Sequence, residues 1–504
     1  MSNMIEKQCD VAIIGGGLGG LVAGALLAKK GKKVILIEQH HSIGGCASTF
    51  NRCKCTIEAS LHEMDGLDRT DMKTLIFREL NVLDCVKFIK LSEVYSVHRD
   101  YNNFIFPTCK KLAIQKLVKE FPKDKLGINE YFSTVSAIRK AISLLSLRSF
   151  GKKCCNKKND FSILSKYSQI SVGEYLDSII HNEWLKLILL ANISYYHDDP
   201  YTLSFIYFCI AQESYYNGSW YIEGGSQQLS NHFADIIMKN GGKIITKYVV
   251  NDILIENGAA VGVKCVPSKR NKDVSIKISS QYTISNTSFC NTEKMLPIDM
   301  RVSFIKDVKF FKESCSCTSI YLVFKTKIPS EIIGSQYNII IYPKIVSCLK
   351  ELSNEQYNDK IINFVYYSQV DPTLSEKTDK SVGTITVVDD ISHWDNLTSE
   401  EYKQKKKTIA QILIKRVDAI IPLSDFIENY EVATPKTIEK FTLNPKGAIY
   451  GFSQIPKQSG SFRPKNETEI PNLYMASAWT NPGGGFSGAI ISGFMCANKI
   501  LKFK

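Results

Sequence analysis

Apolar and polar positions along this chain follow several rhythms in turn. Residues 11–14 (VAII) are an unbroken apolar run, the pattern of a strand buried on both faces of a parallel sheet. Glycines follow at once. Leu21 to Lys30, with alanines at packing positions, then predicts a helix that Gly31 ends. KVILIE (33–38) predicts a second buried strand. From about 70 to 215 the spacing turns helical, as in MKTLIFRELNVL and SVGEYLDSIIHNEWLKLILLANI. Residues 221–265 carry a glycine pair, an amphipathic helix, a Gly-Gly stop and alternating strands. From about 300 to 440 strand patterns dominate: SIYLVFKTKI, YNIIIYPKIV, INFVYYSQV and GTITVVDDIS. One helix interrupts them at 399–421, with Ser399 as N-cap and glutamates in its first turn. At the end, NLYMASA predicts a strand, GGG (483–485) a turn, and FSGAIISGFMCANKI a helix.

Size and charge narrow the class. With 504 residues the chain is expected to form two or three domains and can bury a large ligand. Its 44% apolar and 22% charged residues are those of a globular protein. The net charge of +13 is scattered in short lysine groups, such as Lys403, Lys405, Lys406 and Lys407, which read as a solvated helix face. Nucleic-acid binding needs a concentrated basic stripe, and none is found, so no nucleic-acid partner is expected. Part of the excess charge suits an anionic cofactor or membrane surface. The basic loop RSFGKKCCNKKND (148–160) is the place where a peripheral lipid contact is expected. The cysteine pairs Cys53/Cys55, Cys154/Cys155 and Cys315/Cys317 lack matching histidines, so no metal site is expected. Neither a secretory leader nor an 18-residue apolar run is read from the sequence. A cytoplasmic protein with free thiols is the expectation.

The strongest chemical signal is CDVAIIGGGLGGLVAGALLAKKGKKVILIEQ (9–39). Gly15, Gly17 and Gly20 fit the spacing G-x-G-x-x-G between a strand and a helix, and Glu38 ends the next strand. Gly15 serves the tight turn, Gly17 a close pyrophosphate approach, and Gly20 the packing of helix on strand. A helix N-terminus offers free N–H groups to phosphates. Glu38 can accept hydrogen bonds from a ribose diol. Candidate contacts to a dinucleotide are Gly15, Gly17, Leu18, Gly19, Gly20, Glu38 and the adjacent Gln39.

The next residues, HHSIGGCASTF (40–50), add a second glycine pair, Gly44 and Gly45, followed by Cys46. This arrangement resembles the FAD-binding enzymes of the flavin amine oxidase and phytoene desaturase superfamily. GGCASTF and TIEASLHEMDGLD (56–68) are similar to its branch of carotenoid isomerases and retinol saturases. In that branch an aromatic-acid-x-G-x-H pattern recurs; His62 matches the histidine, and Ser60 stands at the glycine position. The resemblance leaves His62 either a structural neighbour of the cofactor or a catalytic residue. Val250 matches the strand position whose backbone receives adenine. Gly484, Gly485, Phe486 and Ser487 match the C-terminal flavin motif, with helix N–H groups directed at the pyrimidine ring.

The resemblance implies an α/β fold: a Rossmann-like FAD-binding domain with an inserted α+β substrate domain. The FAD-binding domain is discontinuous, from 1–70, 216–300 and 441–504. The substrate domain takes 71–215, mostly helical, and 301–440, a mixed sheet. The implied activity is FAD-dependent oxidoreduction at carbon–carbon bonds of a long apolar polyene, by desaturation, saturation or isomerisation. Two alternatives stay open. One is oxidation of a small amine, with Trp479 as a wall of an aromatic cage. The other is a non-catalytic prenyl-binding protein of the same fold.

Overall fold

The computed structural model describes residues 4–67, 72–149, 162–269, 274–352 and 355–502. The basic segment 150–160, and the lipid contact expected there, lies outside these residues. The first two positions of the loop expected at 148–160, Arg148 and Ser149, belong to the end of the helix Lys125–Ser149.

Two seven-stranded sheets organise the chain. In the first, Lys243–Thr246, Val34–Glu38, Met4–Ile14 and Ser275–Ser285 run parallel in that spatial order. Ala259–Pro267 and Tyr248–Glu256 extend it antiparallel, and Leu473–Met475 adds a parallel strand beside the end of Ser275–Ser285. Val34–Glu38 is buried at every position, as its continuous apolar run requires. The second sheet has the order Ile427–Ala433, Ser316–Phe324, Ser381–Asp389, Ile362–Val365, Asn338–Ile341, Glu93–Arg99, Asn102–Pro107. All its neighbours are antiparallel except Asn338–Ile341 with Glu93–Arg99.

The helix Leu18–Lys29 is buried from Leu18 through Ala28. It lies between the first sheet, the helix Gln227–Lys239 and the C-terminal helix Gly485–Lys502. Small residues permit this closeness: a Cβ on Gly493 would stand 2.2 Å from the Gly19 carbonyl oxygen. The C-terminal helix is thus packed directly against the start of the first one.

Three details differ from the sequence reading. The first helix begins at Leu18 rather than Leu21, because Gly17 already takes the extended N-cap conformation. The helix Ser399–Asp418 is capped by Thr398 rather than Ser399: the Thr398 hydroxyl accepts from the Glu401 N–H, and the Glu401 carboxylate reaches back to the Thr398 N–H at 2.8 Å. The stretch from 71 to 215 also contains three strands, Phe88–Lys90, Glu93–Arg99 and Asn102–Pro107. The last two form a hairpin whose turn places Asp100 at positive φ, a conformation Asp tolerates. Its alternating pattern is short and was submerged in the helical periodicity around it.

Candidate active site

One cavity of roughly 1290 Å³ takes its lining from both sheets and from the starts of the first and last helices. Small-ligand clefts are typically about 300–1000 Å³, so this one has room for a dinucleotide together with a further molecule.

At one end stands the first glycine loop. Gly15 sits at φ +93°, which only glycine adopts freely. No side chain caps the first helix, and its first internal bond runs from Leu21 N–H to Gly17. The N–H groups of Leu18, Gly19 and Gly20 therefore have no acceptor within the helix, the usual state of a first turn. Gly17 pairs with Gly44 in a short parallel bridge, and the Gly44 N–H donates to the Gly16 carbonyl at 2.7 Å. Glu38 is buried and accepts from the Gly16 N–H at 2.7 Å and the His40 N–H at 2.9 Å. The Asn286 side chain lies beside the same loop, its Nδ2 3.4 Å from the Gly15 carbonyl. Sequence reading missed Asn286; the turn-forming NTS after a strand was its only signal.

At the other end the C-terminal helix opens at Gly485. Close approach rules here: a Cβ on Gly484 would stand 2.4 Å from the Tyr450 carbonyl oxygen. The Ser487 hydroxyl donates to Asp65 Oδ1. Asp65 also pairs with Lys73 at 2.7 Å, and Lys73 is fully buried. Burial pushes the Asp65 carboxyl up, but the Lys73 charge overrides this and holds it below the ordinary carboxylate range. The short strand Met64–Asp65 is thereby tied both to the following helix and to the first turn of the last one.

The wall between is aromatic. Tyr195, Tyr207, Tyr215, Tyr321, Tyr450 and Trp479 all reach the cavity. The tyrosine-rich stretch 186–216 thus divides its side chains between cavity wall and core, with Phe205 and Phe208 fully buried in the core. His62 lies in this wall. Its Nδ1 is 3.2 Å from the Tyr367 hydroxyl, and its ring stacks on Tyr195 at 5.8 Å. Burial lowers the imidazole to about 4, so it is neutral at pH 7. Ser60 has a negative φ and donates to the Cys46 carbonyl at 2.7 Å, so no left-handed backbone is called for at this position. Next to His62, Glu63 is buried. Asn338 Nδ2 stands 3.3 Å from one of its carboxyl oxygens, and the other has no partner. Burial drives this carboxyl up to about 8. Glu63 escaped sequence reading, because in the mixed stretch SLHEMDG one more acid carries no signal.

Gly15, Gly17, Leu18, Gly19, Glu38, Gln39, Gly44, Gly45, Cys46, His62, Val250, Gly484, Gly485, Phe486 and Ser487 all line the cavity. Gly20 does not; it faces the loop from behind, where a Cβ would meet the Gly15 carbonyl oxygen at 2.4 Å. The sequence profile described as flavin containing amine oxidoreductase matches residues 18–501, from the first glycine loop through the last helix.

The chain belongs to the flavin containing amine oxidoreductase family. It is a flavoprotein oxidoreductase whose cofactor is FAD. It is 26% identical to the all-trans-retinol 13,14-reductase of Danio rerio over 544 aligned positions, covering 99% of this chain and 87% of the relative. It is also 26% identical to the chloroplastic prolycopene isomerase 1 of an Oncidium hybrid cultivar, covering 98% of this chain and 84% of the relative. A crystal structure of an oxidoreductase from Methanosarcina mazei shares the fold, with a TM-score of 0.61 at 16% identity over 98% of this chain and all of that one. The residues of the flavoprotein fit FAD: two helix starts without side-chain caps, a buried acid at the end of the second strand, and glycines where a Cβ would intrude. Among the described residues no helix is long and apolar enough to cross a membrane.

Proposed function

We propose that this flavoprotein changes carbon–carbon bonds in a long apolar polyene of the retinoid or carotenoid type. The observation that carries this is the continuity of a single cavity, with a glycine-cradled dinucleotide end and an aromatic wall. The full-length likeness to a retinol reductase and a prolycopene isomerase supports it.

In this reading the segments 1–70, 216–300 and 441–504 hold the cofactor, and 71–215 with 301–440 build the substrate chamber. The first-helix N–H groups and the loop Gly15–Gly17 hold the pyrophosphate, against Gly44, Gly45 and Cys46. Glu38 and Gln39 take the ribose, and the backbone at Val250 takes the adenine. Gly484 to Ser487 place the last helix start at the pyrimidine ring, where its positive dipole end favours the reduced, anionic state. Bound FAD supplies the hydride acceptor or donor. The tyrosines and Trp479 exclude water and align an unsaturated chain by its faces. A peripheral membrane contact belongs to the same reading, since such substrates dissolve in bilayers.

The test is spectroscopic. Purified protein is expected to show the visible flavin band, and the dithionite-reduced form is expected to be reoxidised anaerobically by all-trans-retinol or to isomerise prolycopene. A flavin band with oxidation of putrescine and no response to either polyene would replace this reading with amine oxidation. Protein that stays colourless after added FAD would point to a binder.

A further inference from the structure

Glu63 occupies an unusual place. It lines the cavity between His62 and Asp65, yet it is only 5% exposed. Among the described residues it forms no ion pair, and Oε2 has no hydrogen-bond partner. An orphaned carboxyl oxygen in a buried site is costly unless it carries a proton or faces a ligand. The three-stranded sheet of Met64–Asp65, Ser219–Ile222 and Phe88–Lys90 fixes the backbone just beyond it. Asn338 holds Oε1 from the second sheet while donating to the Tyr195 hydroxyl at 2.8 Å. The carboxyl therefore has one anchored oxygen, while Oε2 faces the Ser219 and Tyr195 hydroxyls without a close hydrogen bond.

Resting on the polyene reading, we propose that Glu63, rather than His62, delivers the proton when a carbon–carbon double bond is saturated in this cavity. As the π bond breaks, one carbon takes a hydride, with both electrons, from reduced flavin. The other takes the proton of Glu63. Two C–H bonds form, the flavin is oxidised by two electrons, and the Glu63 carboxylate recovers its proton from water. The neighbouring groups suit this. The titratable side chains facing Glu63 are Asp65 and the phenols of Tyr95, Tyr195, Tyr196, Tyr215 and Tyr337. Burial keeps these phenols neutral and Asp65 carries negative charge; the hydrogen bonds of Ser219, Tyr195 and Asn338 favour a Glu63 carboxylate, but burial outweighs them. Glu63 remains protonated at pH 7 and gives up its proton at about 8. His62, pushed by burial to about 4, has no proton to spare beyond that of the neutral ring.

The experiment uses full-length, FAD-loaded wild type, Glu63→Gln and Glu63→Asp. Each is reduced with dithionite and mixed anaerobically with all-trans-retinol in detergent micelles, and flavin reoxidation is followed through a single turnover. General acid catalysis typically contributes about 100-fold or more. Reoxidation is therefore expected to slow by at least that factor in Glu63→Gln, with FAD content and retinol affinity retained and partial recovery in Glu63→Asp. The wild-type rate is expected to fall above about pH 8. Infrared titration of the oxidised protein reads the site without turnover. It is expected to show a protonated carboxyl band at pH 7 that is missing in Glu63→Gln. Wild-type-like reoxidation in Glu63→Gln, or an ionised Glu63 at pH 7, overturns the assignment and leaves the polyene reading standing. Reduced wild type that responds to neither retinol nor prolycopene overturns that reading, and the assignment with it.

Discussion

At Gly17 an added side chain has to push Asn286 aside and enters the cavity. A Cβ would stand 2.7 Å from Asn286 Nδ2, on the face of the loop that lines the cavity. Gly17→Val is expected to yield folded protein without FAD, read by the visible spectrum after gel filtration; stoichiometric flavin in that variant would remove Gly17 from the cradle. Glu63 carries a different consequence. Its folded pKa, about 8, lies above the ordinary value of 4.5, so the folded state binds this proton more tightly than the unfolded state. The stability it contributes is complete below pH 4.5 and is lost as pH rises through about 8. Urea denaturation on both sides of that window is expected to show wild type losing several kcal/mol, with a clearly smaller loss in Glu63→Gln. The glycines were legible in the sequence because their meaning is local: a turn, a helix start and a strand end lie within thirty positions. Glu63, Asp65 and Asn286 were not. Their roles depend on Asn338, Ser487 and Gly15, which lie hundreds of positions away in the chain.

At the scale of elements, two loops beside the start of the last helix are held together by a buried cation. Arg463 donates to four backbone carbonyls: Ala478 at 2.7 Å, Phe452 at 2.9 Å, Tyr450 at 3.2 Å and Thr480 at 3.3 Å. These belong to the two loops that run past Gly484. Burial lowers the guanidinium to about 10, still far enough above neutrality to keep it charged. Each buried carbonyl left unpaired costs about 1–3 kcal/mol. Arg463→Met is expected to lower the unfolding free energy by about 3 kcal/mol or more and to weaken FAD retention, measured by urea titration and flavin release. A small control effect belongs to the helix Ser399–Asp418: Thr398→Ala breaks its capping box and is expected to cost about 1 kcal/mol. That helix was readable from its periodicity and early glutamates, whereas the exact cap residue was not, because Thr398 and Ser399 both carry a capping hydroxyl and the backbone conformation decides between them. Arg463 gave no sequence signal, since its partners are main-chain atoms with no side-chain signature.

For the molecule as a whole, the cavity is shared by two sheets, and a ligand that fills its dinucleotide end ties the glycine loop to the last helix. Anything bound only to the folded state raises stability by mass action. Thermal unfolding with a large excess of FAD over its dissociation constant is expected to shift upward by several degrees, and the shift is expected to vanish in Gly17→Val. The two-layer plan could be inferred from motifs at both chain ends and from the change of rhythm between them. The order of strands in the second sheet could not, because the parallel pairing of Asn338–Ile341 with Glu93–Arg99 joins segments with no shared pattern. The strand Leu473–Met475 completes the first sheet beside Ser275–Ser285, and Gly493 rests against Gly19. This arrangement imposes an order in time. On the ribosome, the first glycine loop emerges hundreds of residues before the segments that close it. Until then, its helix lacks one flank and the cavity lacks one of its walls. Cofactor capture is therefore expected to be a late event of synthesis, with a nascent chain halted before residue 473 remaining uncoloured.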